Sequence, residues 1–149
     1  MKAVIQRVSN ASVTVDGQIV GKIQHGFLIL LGVGHDDQNE DVEYLASKIA
    51  QLRVFQDDDQ KMNRDIVSID GNCLVISQFT LYASTKKGNR PSFIDAASPV
   101  SASAMYESFC DSLSLKINRP VEKGVFGADM KVSLINDGPV TILIDSKNK

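Results

Sequence analysis

Residues 3–23, "AVIQRVSNASVTVDGQIVGKI", decide how the chain begins to fold. Apolar and polar residues alternate with a period of two, which sends successive side chains to opposite faces of a sheet. Asp16-Gly17 sits between Val13/Val15 and Ile19/Ile23, the strongest short-range hairpin signal. The chain therefore opens as an antiparallel strand pair. The N-terminal residues are interrupted by Arg7 and alternate in polarity, so they read as a strand and not as a signal peptide.

Working outward, "GFLILLGVG" (26–34) is a continuous apolar run bounded by glycines, expected as a strand buried on both faces. The period then changes. Val42, Leu45, Ile49 and Leu52 are spaced as one face of a helix, and residues 36–39 supply cap candidates and negative charge before it. "QDDDQKMNRD" (56–65) reads as a polar loop, with Asp57-Asp58-Asp59 as its hydrated tip. "IVSIDGNCLVISQFTLYA" (66–83) reads as a second Asp-Gly hairpin leading into a long strand. Ser98-Pro99 places a capping serine before a proline at the first helical position. Ala102, Met105, Phe109 and Leu113 give that helix its apolar face, and Pro120 lies just past its end. "MKVSLINDGPVTILID" (130–145) reads as a last strand pair. About seven strands and two helices with short connections make an α+β fold. The expected architecture is a mostly antiparallel or barrel-like sheet, with the two helices covering one face. No linker or repeat divides residues 1–149, so one domain is expected.

Composition bounds the chemistry. The hydrophobic fraction is 43% and the charged fraction 23%, as in globular proteins. No apolar run approaches the about 18 residues of a membrane helix, so no membrane partner is expected. Cys73 and Cys110 lack a CxxC spacing and are expected as free thiols of a cytoplasmic protein. His25 and His35 are the only histidines. A zinc site needs three or four ligands at suitable spacing and the sequence has no Cys/His cluster, so no metal or cofactor is expected. His35, in "GVGHDD", suits a surface capping role. There is no GxSxG elbow, P-loop or GxGxxG. The net charge of −2 advertises no global nucleic-acid field. It leaves room for a small basic patch, and the densest is "TKKGNRPSF" (85–93), which on charge alone also fits a solvated loop.

One strand is unusual. In "LVISQFTLYAS" (74–84), Ser77, Gln78 and Thr80 place three hydrogen-bonding side chains in an apolar run. Either they lie on a half-exposed face or they form the wall of a polar pocket. Thr80 has no histidine nearby in sequence to activate it as a nucleophile. For a hydrolase, backbone amides that position water and stabilise an oxyanion fit better.

"SQFTLYA", "KKGNRPSF" and "GVFGADMKVSLINDGPVTI" together resemble the D-aminoacyl-tRNA deacylase family, and "MKAVIQRVSNASVTVDG" and "GFLILLGVG" extend the likeness over the whole chain. Ala83 and Ser84 depart from a Gly-Asp pair common in relatives, outside the two motifs. The resemblance implies an enzyme that hydrolyses the ester between a D-amino acid and tRNA. It implies a homodimer with active sites at the subunit interface. Ser77, Gln78, Phe79 and Thr80 match the first motif and would line the catalytic pocket. Asn136, Asp137, Gly138 and Pro139 match the second, with Gly138-Pro139 cis and inserted into the partner's site. Phe126 and Met130 match positions that pack around the terminal adenosine of the RNA. Members also accept the glycyl ester, and the terminal ribose 2′-hydroxyl is implied in the chemistry. The Gly138 carbonyl would accept the substrate ammonium and leave no room for an L side chain. No DNA partner is implied. Two other readings stay open at this point: a hydrolase of small esters or amides with Thr80 as nucleophile, and a non-catalytic RNA-binding module.

Overall fold

The computed structural model describes residues 1–149. Strand β1 (Lys2–Val15) runs along the centre of the sheet. β2 (Gln18–Ile23) and β3 (Gly26–Gly32) lie one after the other along one edge of it, both antiparallel: Val15 pairs with Gln18, and Ile5 with Ile29. Asp16 and Gly17 take φ of 49° and 77°, so both turn residues have the positive φ that a tight Asp-Gly hairpin demands. β3 is buried almost throughout.

The sheet then departs from the sequence expectation. Residues 66–71 form a closed turn, with Gly71 N–H donating to the Ile66 carbonyl at 2.9 Å, so 66–69 are not the first strand of a hairpin. Asp70 does adopt a positive φ of 53°. The strand on its far side, β6 (Asn72–Ser77), nevertheless pairs parallel with β3, from Gly26↔Asn72 to Leu31↔Ser77. An Asp-Gly pair specifies a turn; it does not specify the direction of pairing. β7 (Glu122–Lys123) adds to β6, also in parallel. The sheet is therefore mixed: β1 pairs antiparallel with its neighbours, and β6 pairs parallel with β3 and β7. β2 curls round to meet β7: a Cβ added at Gly21 would lie 2.8 Å from the Lys123 carbonyl oxygen, so only glycine allows this approach. The sheet is thereby nearly closed, like a barrel.

The polar stretch 56–65 is a miniature hairpin of its own, β4 (Phe55–Gln56) with β5 (Met62–Arg64). Asp57 organises its tip, accepting the Asp59 and Lys61 N–H groups at 2.9 Å and the Asn63 amide at 2.6 Å.

β8 (Lys131–Asp145) corrects the expected last strand pair. It is one long strand against the free edge of β1, from Lys2↔Asp145 to Thr14↔Lys131. Between Gln6↔Thr141 and Val8↔Asn136 β1 advances two residues while β8 advances five, so residues 137–140 loop out of the ladder. Such a bulge keeps a strand in register on both sides of an irregular insertion.

α1 (Asn39–Ala50) and α2 (Pro99–Ile117) cover one face. Val42, Leu45 and Ile49 of α1, with Phe109 and Leu113 of α2, pack on Ile5, Phe27, Ile29, Cys73 and Val75. Ser98 Oγ accepts the Ser101 N–H, and Pro99 opens the helix. At α1 the cap is Gln38, whose N–H donates to the Asp41 carboxylate at 2.8 Å. The junction before it is organised by buried Asp37, not by exposed His35: Asp37 accepts from Gly34 N–H at 2.7 Å and pairs with the Met1 ammonium. Opposite the helices, Leu28, Leu74, Ile76, Val13 and Ile23 fill the inside of the curl. Cys73 and Cys110 are free and buried, and burial raises both thiol pKa values, that of Cys110 to about 12. No helix is long and apolar enough to cross a membrane.

Candidate active site

Parallel pairing brings the C-terminal ends of β3 and β6 side by side. β6 stops at Ser77 because Gln78 turns: its N–H still donates to Leu31 at 2.8 Å, but its φ and ψ of −144° and 78° leave the strand. A 3₁₀ turn, Phe79–Tyr82, comes directly after it. The first motif is thus a strand end and a tight turn, where a continuous strand was expected. The polar residues mark the place where the ladder ends. The N–H groups of Phe79 and Thr80 open the turn, at positions that have no intrahelical carbonyl partner.

Beside this turn lies a cavity of about 590 Å³. Ser77, Gln78 and Phe79 form one wall, and Phe126 and Met130 another. Ile76, Ala102 and Tyr106 supply apolar surface between them. Buried Tyr106 donates its hydroxyl to the Val75 carbonyl at 2.8 Å and holds its ring 6.0 Å from that of Phe126. Gly124 leaves room for the Met130 sulfur, which would lie 2.6 Å from a Cβ there. No histidine, cysteine or lysine lines the cavity; its one carboxylate, Asp129, is exposed and held by Lys131 at 2.7 Å. Its walls can grip a flat apolar group and offer main-chain donors, but they bring no side-chain base. Thr80 is exposed, does not line the cavity, and receives a hydrogen bond from Gln78 Nε2.

Asn136, Gly138 and Pro139 do not line the cavity of the same chain. Gly138-Pro139 is cis, and both residues are exposed. Asn136 brackets the looped-out residues: its Oδ1 accepts the Val140 N–H at 2.8 Å, and its Nδ2 donates to Thr141 Oγ1 at 3.0 Å. Gly138 has a φ of 145°, in which L side chains are strained, and a Cβ there would lie 2.8 Å from Val140 N. Buried Arg7 holds the loop from below, Nε donating to the Asp137 carbonyl at 2.8 Å and Nη1 to the Val54 carbonyl.

Sequence reasoning misses Arg7, Phe93 and Tyr106. Arg7 breaks the polarity of β1, and in the sequence it argues only against a signal peptide. A charged residue at a position that should be buried is the available signal, because such a group needs a partner. Phe93 packs edge-on against Phe79 at 5.0 Å and lines the cavity. Phe93 closes the KKGNRPSF stretch, which gives it no stated role, and nothing local distinguishes Tyr106 from ordinary apolar positions.

Residues 4–145 match the family described as D-Tyr-tRNA(Tyr) deacylase. Proteins named D-aminoacyl-tRNA deacylase are similar over nearly the whole length. That of Opitutus terrae is 60% identical over 146 residues, covering 98% of this chain and 97% of the relative. That of Flavobacterium psychrophilum is 58% identical, and that of Parabacteroides distasonis 54%, each covering 100% of this chain and 99% of the relative. Among solved structures, a "c-Myc DNA Unwinding Element Binding Protein" superposes with a TM-score of 0.92 at 39% identity, over 97% of this chain and 98% of that one. A probable eukaryotic D-amino acid tRNA deacylase shares the fold, with a TM-score of 0.82 at 14% identity over 96% and 97% of the two chains. Fold, motifs and whole-length similarity agree: the chain belongs to the D-aminoacyl-tRNA deacylase family, whose members are hydrolases of aminoacyl-tRNA esters.

Proposed function

We propose that the chain, as a single domain, hydrolyses the ester of D-aminoacyl-tRNA and of glycyl-tRNA, and spares the L ester. The observation that carries this reading is the cavity, where the first motif faces Phe126 and Met130 across an apolar slot. The slot takes the terminal adenosine, with the base between Phe126 and Met130. That places the acyl carbon at the Gln78–Thr80 turn. There the Phe79 and Thr80 amides stabilise the developing oxyanion, and main-chain donors preorganised for that charge are effective without a side-chain base. The substrate supplies its own 2′-hydroxyl to assist the attacking water.

Selectivity comes from the looped-out residues 137–140 of a second protomer. They stand clear of their own cavity, Asp137, Gly138 and Pro139 are exposed, and the loop is fixed by Arg7 and Asn136. Placed in the partner's cavity, the Gly138 carbonyl accepts the substrate ammonium and its backbone occupies the volume of an L side chain. A D side chain points the other way, and glycine has none. Exclusion suits a filter that must discriminate strongly, since attractive contacts worth one methylene give only about 1–3 kcal/mol. The homodimer has independent support: β8 is a 15-residue strand paired on one edge only, with Ile135 59% and Leu143 67% exposed. Long apolar edges of this kind are covered in stable proteins. Aminoacyl-tRNA places the work in the cytoplasm, in proofreading for translation.

The test is hydrolysis of D-tyrosyl-tRNA and L-tyrosyl-tRNA by the purified protein, monitoring release of tyrosine. Loss of the D ester with the L ester intact is expected. Cleavage of neither by a folded dimer refutes the function, and equal cleavage refutes the filter. Thr80→Ala keeps most of the rate if main-chain amides do the chemistry; complete loss of turnover instead favours a threonine nucleophile.

A further inference from the structure

We propose that the loop of residues 85–91, with the Phe79–Phe93 pair at its foot, binds the single-stranded 3′ end of the RNA through its phosphates. This deepens the function proposed above and rests on it. Between Asp70 and Asp95 the chain has no acidic residue, and Lys86, Lys87 and Arg90 fall within that span. All three are exposed and none is paired with a carboxylate. Arg64, Lys116, Arg119, Lys123 and Lys131 are each held by a carboxylate at 2.6–2.9 Å; of the other cations without one, Lys2 lies over the Tyr82 ring, Lys48 and Lys149 lie over the Tyr44 ring, and Lys22, Arg53 and Lys61 lie elsewhere in the chain. A molecule with a net charge of −2 thus holds three uncompensated cations within five residues of one loop. Such a cluster concentrates a polyanion locally.

The loop is also placed for that task. Paired hydrogen bonds between Ser84 and Ser92, at 2.8 and 2.9 Å, close its foot. The next residue, Phe93, lines the cavity and packs on Phe79, which is 58% exposed. An RNA strand whose last nucleoside fills the cavity leaves it over these two rings. Exposed aromatic faces stack bases with little regard to sequence, and adjacent cations track the backbone. That combination fits the unpaired end shared by all tRNAs, whatever amino acid they carry.

The experiment compares D-tyrosyl-tRNA with D-tyrosyl-adenosine, which keeps the ester and the base but has no phosphate. The variant carries Lys86→Gln, Lys87→Gln and Arg90→Gln, and a control carries Lys22→Gln and Lys61→Gln, two exposed lysines on other elements. Three single-strand phosphate contacts give a slope of about −2 for log(kcat/KM) against log salt, roughly 20-fold between 50 and 200 mM. The loop variant is expected to lose that slope and to raise KM for the tRNA ester. Its kcat, its rate on D-tyrosyl-adenosine and the control variant remain unchanged. An unchanged salt slope overturns the proposal and leaves the function standing. An equal loss on both substrates also overturns it, by showing that the loop acts only on the fold of the cavity. Wild-type protein that cleaves neither ester overturns the function and this proposal with it.

Discussion

At Ser77 strand β6 ends in a 3₁₀ turn, while at Asn136 strand β8 loops out and resumes its pairing at Thr141. Both breaks are marked by polar residues in an apolar run. The first is held mainly by main-chain bonds, Gln78 N–H to Leu31 of β3, Leu81 N–H to Gln78 and Ala83 N–H to Thr80, with Tyr82 donating its hydroxyl to Asp37. The second is held by side chains, from Asn136 within the loop and from Arg7 on the neighbouring strand. A turn that orders its own amides suits chemistry done by the main chain. A loop clamped from outside suits a rigid obstacle. In the function proposed above the first break carries catalysis and the second selectivity, and substitutions can separate them.

The largest loss of stability belongs to neither break. Phe109 is fully buried under the helices, and Phe109→Ala is expected to cost about 3–5 kcal/mol in denaturant unfolding. Surviving folded protein should keep its preference for the D ester, and a changed preference would mean that the site is not insulated from the helical face. Next is Arg7→Met, which leaves the Asp137 and Val54 carbonyls without their donor, at about 3 kcal/mol. The Arg7–Asp137 ion pair itself adds little, since the carboxylate is half-exposed. Here the L ester should become a substrate. A variant equally unstable but still fully selective would remove Arg7 from the comparison.

The smallest effect is in acid. Burial works to raise the Asp41 carboxyl, but the hydrogen bonds from Lys147, at 2.7 Å, and from Ser146 and Gln38 outweigh it and lower the pKa from 3.8 to about 2. A carboxylate whose folded pKa is depressed stabilises the fold above the unfolded value and loses that contribution as pH falls through the folded one. Asp41→Asn should therefore flatten the stability profile between pH 3.8 and about 2. Asp41 ties α1 to the C-terminal residues through Lys147 and neither lines the cavity nor contacts the 137–140 loop, so the D/L preference should not change.

Much of this is legible in the sequence because it is local. The Asp16-Gly17 hairpin, the Ser98-Pro99 helix start and the apolar face of α1 each lie within a few residues of the signal that specifies them. The parallel pairing of β3 with β6 is not legible, because Asp70-Gly71 specifies only a local turn and the partner lies more than forty residues away in sequence. The same holds for β8: Gly138-Pro139 looks like the tip of a hairpin until β1 is known to run past it. The motif residues lie at the two breaks, but the sequence reads them as a continuous strand and a hairpin pair and marks none of their supports. Asn136 reads as a residue facing the substrate, yet its side chain is engaged in closing its own loop.

The most direct test of the division between chemistry and selectivity is the ratio of kcat/KM for D-tyrosyl-tRNA over L-tyrosyl-tRNA, measured for the wild type and for Asn136→Ala. Removing the bracket costs about 1–2 kcal/mol of local order in the loop and leaves the Gln78–Thr80 turn untouched. The D rate is expected to be largely kept while the L rate rises, so that the ratio collapses. Equal losses on both esters, with the ratio preserved, would contradict that division.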